Sequence, residues 1–160
     1  MAEARLWEFA QGLWHRLALR QALLRFQQEF QQPACLLLAL MWLAAQKLRP
    51  TPELIASLRH TAEAWEQEQM APLRRLVSSS AQDVSQADWH KTLLRAQLEG
   101  EKLLLLRLQS LIEAEELPVG EVSLDALVLQ ALPEIGFCEG QTQLLAELVA
   151  AWQALSQAGQ

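Results

Sequence analysis

Residues 34–45, ACLLLALMWLAA, form the longest uninterrupted apolar run in this chain of 160 residues. A transmembrane helix needs about 20 such residues, so this run is too short to cross a bilayer. A helix that is apolar on every face is typical of the centre of a hydrophobic core. Pro33 suits the first turn of a helix, and Pro50 restricts the residue before it and so ends one. We therefore predict a buried central helix over residues 34–48.

The composition of the whole chain favours helices. Leu, Ala, Gln and Glu make up 93 of the 160 residues, whereas Val, Ile and Thr together supply only 13. The first group contains strong helix formers, and the second contains the β-branched residues on which sheets depend. The composition therefore excludes β-sandwiches, barrels and doubly wound sheets, and it predicts an all-α protein.

Apolar residues recur every three or four positions along most of the chain, which is typical of helices with one buried face. We predict a single globular bundle of about seven to eight helices with one long helix over residues 86–116. Pro72 is expected to stop or kink the fourth helix, and residues 78–85, SSSAQDVS, are expected to form a mobile polar loop. The predicted helical segments are residues 4–16, 19–30, 34–48, 52–69, 72–77, 86–116, 124–132 and 141–155.

The length is that of one domain, which we expect to comprise all of residues 1–160. Within it, residues 1–112 would form the core bundle. Residues 117–160 would form an acidic helical extension that packs on this bundle.

The charge is distributed unevenly along the chain. Residues 1–50 carry a net charge of +3, residues 51–112 carry −1, and residues 113–160 carry −8 without any Lys or Arg. A net charge of −6 disfavours nucleic-acid binding, because phosphate contacts need a dense basic surface. The acidic third is either a solvated helical face or a surface that steers the protein toward a basic partner.

From the first residues and the cysteines of the chain we expect a cytoplasmic protein. The first residues, MAEAR, include an acid and lead into an amphipathic pattern instead of a secretory signal. Cys35 and Cys138 are far apart in sequence, and we expect both to be reduced. Cys35 lies in the apolar run, so we expect a buried and inert thiol.

The sequence contains none of the common catalytic or metal-binding motifs. His15, His60 and His90 form no H-E-x-x-H or Glu-x-x-His pattern, and no paired cysteines have zinc-binding spacing. His60 and Glu63 could share a helix face, but this spacing is common by chance. We therefore expect no catalytic residue, no cofactor and no metal site, which makes a non-enzymatic protein the leading interpretation.

The six tryptophans are the most unusual feature of the composition. Most of them lie on apolar stripes, where core packing is the ordinary role. The alternative is that some line a hydrophobic groove for a partner helix or an apolar ligand. Trp7 and Trp14, one heptad apart on the first helix, are the best candidates. Together with Arg74 and Arg75 they are our candidate partner-binding residues.

Three functional hypotheses follow. The leading one is a protein–protein interaction protein, acting as an adaptor or regulator, whose exposed Leu/Trp stripe would also allow a homodimer. The second is a carrier of an apolar ligand in a bundle cavity. The third is an enzyme with an unrecognised His/Glu site that uses one of the three histidines. The cavity of the second hypothesis would be lined by Met41, Trp42, Leu104 and Leu108.

The order of several short motifs resembles a family of short, uncharacterised proteobacterial proteins, a domain of unknown function. The resemblance covers about residues 5–112 and implies an all-helical fold in a cytoplasmic bacterial protein. Family members usually carry Gly, Asp and Asn just before and within the central helix, where this chain has Gln31, Pro33 and Cys35. The matching stretches are residues 6–10 (LWEFA), 26–27 (FQ), 36–38 (LLL), 41–44 (MWLA), Trp65 with residues 72–74 (PLR), and residues 96–103 (AQLEGEKL).

Overall fold

The computed structural model describes residues 4–158, and these residues fold into an all-α bundle, which confirms the predicted fold class. A π-helical turn, Glu66–Met70, joins α4 to α5, and short 3-10 turns, Val84–Gln86 and Pro133–Phe137, precede α6 and α8. The helices are α1 (Arg5–Trp14), α2 (Leu17–Phe30), α3 (Ala34–Ala45), α4 (Pro52–Trp65), α5 (Ala71–Ser80), α6 (Ala87–Glu113), α7 (Leu124–Ala131) and α8 (Glu139–Ala158). Among these residues, no helix is both long and apolar enough to cross a membrane.

The apolar helix α3 lies at the centre of the bundle. Helices α1, α2, α4, α6 and α7 all pack against it, and its residues 36–43 are buried. It ends three residues before the predicted Leu48. Lys47 adopts a left-handed conformation (φ 54°), while the Leu48 N–H donates to the Leu43 carbonyl and the Lys47 N–H donates to the Ala44 carbonyl. These bonds form a Schellman motif, which satisfies the last helical carbonyls and turns the chain away.

Helices α4 and α5 continue into each other through the π-helical turn and form the α4–α5 rod, so Pro72 does not stop the helix, although a stop was one of the two expected outcomes. In the π-helical turn the Ala71 N–H donates to the Glu66 carbonyl, one residue further back than in an α-helix. Pro72 therefore stands in the first turn of α5, where a missing N–H is tolerated. The helix continues through Ser80, whose side chain is buried, so the polar loop is shorter than residues 78–85.

The acidic third of the chain faces cations from the first part. Residues of α7 and α8 belong to the same hydrophobic core as α1–α4, and α8 packs mainly against α2. Ion pairs across this boundary include Arg25–Glu147 at 3.0 Å, Lys47–Glu121 at 3.4 Å, Arg59–Glu134 at 3.0 Å and Arg5–Glu113. Thus four of the eight acids in residues 113–160 are used inside the protein. Each such exposed pair contributes only about 0–1 kcal/mol.

Buried glutamines fix the positions of the outer helices. The side chain of Gln109 on α6 is 1% exposed, and its Oε1 accepts a hydrogen bond from the Leu6 N–H at 2.9 Å. It thereby caps α1, since Ala4 at the N-cap position makes no side-chain bond. In the same way, Gln32 Nε2 donates to Gln141 Oε1 at 2.9 Å and ties the end of α2 to α8.

We expect the substitution Gln109→Met to destabilise the protein. Methionine keeps the length of the side chain but leaves the Leu6 N–H without its acceptor, which costs about 1–3 kcal/mol for a buried donor. The measurement is the free energy of unfolding in urea. Gln130→Met, at an exposed position of α7, is the matched control and should be neutral. Equal stability of the two variants would contradict the capping role.

Candidate functional site

A groove of about 1220 Å³ lies beside the first turns of α3, where the neighbouring helices no longer cover this helix completely. It is bounded by α1, the end of α2, the first turns of α3, the α4–α5 rod and α6. Its apolar lining side chains include Ala34, Leu38, Ala62, Met70, Leu104 and Leu105, and its glutamines are Gln11, Gln27, Gln28, Gln31, Gln32, Gln67 and Gln97. The groove therefore combines an apolar floor with a polar border that can form hydrogen bonds.

All four candidate partner-binding residues line this groove. Trp7 and Trp14 contribute half-buried indoles from α1, and Arg74 and Arg75 contribute guanidinium groups from α5. Both helices pack on α6, which brings together residues that are about sixty positions apart in sequence. Their role in binding a partner stays a prediction.

The π-helical turn belongs to the groove wall. Glu66, Gln67 and Met70 from this turn all line the groove, and π-helical turns occur frequently at functional sites. Gly100 on α6 faces it. A Cβ atom at Gly100 would lie 2.7 Å from the Met70 sulfur, and Trp65 Nε1 donates to the Gly100 carbonyl at 3.0 Å. The side chains of Met70 and Trp65 therefore pack close to the backbone of α6, and they can do so because Gly100 has no side chain.

Most charged groups of the groove wall are paired. Arg74 donates to both oxygens of Glu66, with a distance of 2.8 Å from Nη2 to Oε2. Arg59 donates hydrogen bonds to Glu63 at 2.7 Å and to Glu134 at 3.0 Å, and the bond to Glu63 raises the pKa of Arg59 above its already high value. These contacts hold α4, α5 and the segment before α8 in place.

Besides the exposed Arg75 at the groove border, Glu101 on α6 is the exception. Its half-buried carboxylate lines the groove, yet it makes no hydrogen bond or ion pair to any residue between 4 and 158. Burial raises the pKa of Glu101, the nearby Glu66 raises it further, and Arg74 lowers it. The floor of the groove therefore carries a carboxylate that water alone solvates.

The two cysteines differ in chemical character. Cys35, in the first turn of α3, also lines the groove, and burial, together with Glu101 and Glu66, raises the pKa of its thiol far above the ordinary value. It is protonated at neutral pH, which is consistent with the inert thiol expected from sequence. Cys138 precedes α8, and hydrogen bonds from the Gln141 backbone and side chain lower the pKa of its thiol.

The structure does not bring the three histidines together. His15 lies at the border of the groove, His60 is exposed on α4, and His90 on α6 shares a hydrogen bond of 2.8 Å with the Ser80 hydroxyl. Within residues 4–158, no group of three or more His, Cys, Asp or Glu side chains could hold a metal ion.

The cavity predicted for an apolar carrier is not formed by the residues expected. Met41, Trp42 and Leu108 are buried in the hydrophobic core and do not line the groove, whereas Leu104 does. The reason is that α3 is covered on all sides over this stretch, so these side chains pack against neighbouring helices.

Glu66, Met70 and Glu101 line the groove, although none of them is among the site residues predicted from the sequence. The sequence does contain a pattern that could have identified Glu101. This residue lies three positions before Leu104 and four before Leu105, both of which are buried. A carboxylate at the border of a buried stripe marks a place where the core is open to solvent. Glu66 and Met70 had no comparable signal, since their orientation depends on the π-helical turn.

We expect Cys138 to be alkylated by iodoacetamide at least about tenfold faster than Cys35 in the folded protein, because the thiolate is the reactive species. Peptide mass spectrometry after timed labelling near neutral pH measures both rates. In urea the two rates should become similar, which serves as the control. Equal rates in the folded protein would show that Cys35 is not protected.

The substitution Glu101→Gln should stabilise the folded protein at neutral pH. Because the pKa of Glu101 is raised by folding, its contribution to stability is fully favourable below the ordinary value of 4.5 and is lost as the pH rises. The difference in unfolding free energy between variant and wild type should therefore grow from acidic to neutral pH. Urea titrations at several pH values measure it, and a difference that is constant with pH would contradict the raised pKa.

No curated protein and no solved structure matches the chain. A family model does match, namely that of the proteins of unknown function DUF2390, over residues 5–108. The match includes α1 to α5 and most of α6, and hence almost every element of the groove. Since it covers well over half of the 160 residues, the chain belongs to this family, as the resemblance implied.

Proposed function

We propose that the protein is a non-enzymatic interaction protein, an adaptor or regulator, that binds a helical segment of a partner protein in the groove. The observation that carries the proposal is that Trp7, Trp14, Arg74 and Arg75 line one groove. Trp and Arg are the residue types most enriched among the energetically dominant positions of protein interfaces. Two of each at one site favour a protein partner.

The shape and chemistry of the groove favour a helix as the bound element. Amphipathic helices are commonly recognised by laying their apolar face into a hydrophobic groove. The apolar floor offers such a face, and the glutamines at the border can bond the polar flanks of the helix. The volume of about 1220 Å³ also exceeds the roughly 300–1000 Å³ of pockets for small ligands.

The setting that we propose is the cytoplasm of a bacterium, and the partner is a protein. The net charge of −6 argues against nucleic acid. A second copy of the chain is an alternative occupant, and it would appear as a concentration-dependent dimer in light scattering.

We expect affinity capture from native bacterial lysate to recover one dominant protein partner. Arg75→Glu should reduce this capture by about tenfold, because Arg75 is an exposed charge at the groove border. Trp14→Ala should reduce it at least as much. The measurement is quantitative mass spectrometry of the captured proteins.

The matched controls are Arg95→Glu and Trp89→Ala, which change the same residue types at exposed positions of α6 outside the groove. Both should retain capture. Loss of capture in the controls, or retention in both groove variants, would contradict the proposal.

A carrier of an apolar ligand is the second candidate, because the floor residues Leu38, Leu104 and Leu105 would suit such a molecule. Native mass spectrometry of the purified protein distinguishes the two. A co-purifying apolar molecule favours the carrier, whereas an unliganded mass favours the protein-binding groove.

A further inference from the structure

The carboxylate of Glu101 restricts which ligands can bind in the groove. It shares one face of α6 with Gln97, Leu104 and Leu105, which also line the groove. Within residues 4–158 no side-chain oxygen is both fully buried and without a hydrogen bond. Since the carboxylate of Glu101 has no such bond, its oxygens must reach the water in the groove.

The neighbouring arginine cannot take the place of this water. Both oxygens of Glu66 accept hydrogen bonds from Arg74, so the guanidinium is already held by another carboxylate. Arg74 acts on Glu101 only through its electrostatic field, which the charge of Glu66 opposes. Arg75 at the groove border makes no hydrogen bond or ion pair to Glu101, and Arg59, behind the groove wall, bonds Glu63 and Glu134.

An apolar helix in the groove would displace the water around Glu101. Burial of a carboxylate without a partner costs several kcal/mol, whereas burial with a hydrogen-bonded cation is compensated. A bound helix that is apolar along its whole inner face would therefore be rejected. A helix that carries one cation at the right place would be accepted.

We propose that the partner segment is an amphipathic helix that places a lysine or arginine against Glu101, among apolar residues that contact the floor of the groove. This inference rests on the proposed function, since it specifies the helix that the groove binds.

The test uses three fluorescein-labelled amphipathic peptides of about 18 residues, long enough for five helical turns. They are identical except for the centre of the apolar face, which carries Lys, Gln or Glu. Fluorescence anisotropy at physiological salt measures their affinity for the protein of 160 residues. The proteins compared are wild type, Glu101→Gln, Trp14→Ala, and the matched control Glu99→Gln, which neutralises an exposed carboxylate of α6 outside the groove.

We expect wild type to bind the Lys peptide at least about tenfold more tightly than the Gln peptide, and the Glu peptide most weakly. Glu101→Gln should remove the preference for Lys over Gln, and Glu99→Gln should retain it. Because Glu101→Gln is expected to be the more stable protein, a loss of affinity in this variant cannot result from unfolding. Trp14→Ala should weaken the binding of all three peptides.

Two results would overturn the inference. Equal binding of the Lys and Gln peptides by wild type would show that Glu101 does not select a cation. If Trp14→Ala still weakened the binding of these peptides, the groove would remain supported as the docking site. Failure of the Lys peptide to bind wild type would overturn the inference as well. The proposed function is then decided separately by the capture experiment, which uses natural partners.

Discussion

The architecture depends on the burial of one helix that has no polar face. Residues 36–43 of α3 are all removed from water, and each side of the helix is covered by a different neighbour. Because every side of α3 must be covered, several helices surround it, and α7 from the acidic third is one of them. The groove lies where this cover is incomplete, at the first turns of α3, where Ala34 and Cys35 are only half-buried.

The strongly periodic parts of the fold could be predicted from the sequence. The predicted positions of α3 and the long α6 are close to those observed, because their apolar patterns are long and their ends carry prolines or polar turns. The errors arose where a distant contact decides the local structure. Leu48 leaves the helix because its N–H bonds the Leu43 carbonyl and its backbone pairs with Val119, more than seventy residues away. Pro72 does not end a helix because the π-helical turn before it fits against Gly100.

Like the fold, the candidate site could be predicted from the sequence only in part. The heptad spacing of Trp7 and Trp14 indicated a shared helix face, and both indoles line the groove. Trp89 lies four residues before the buried Leu93 and so shares its face of α6, yet Trp89 is 51% exposed. The first turns of α6 extend alongside α5, beyond the helices that cover α3, so an apolar stripe there has little to pack against. Periodicity indicates which residues share a face, but the tertiary structure decides whether that face is covered.

The charge pattern along the chain acquires a different interpretation in three dimensions. Half of the acids in residues 113–160 are paired with cations from the first part of the chain, so the segregation in sequence becomes complementarity within the fold. The carboxylate of Glu101 lacks such a partner, and the features around it are also unusual. Gly100 is needed where the Met70 sulfur approaches the α6 backbone, and π-helical turns are rare and occur frequently at functional sites. Folding alone requires neither an unpaired carboxylate nor a π-helical turn. Their concentration along one groove, while the rest of the bundle follows the ordinary rules of packing, is the physical reason for proposing that partner binding occurs there.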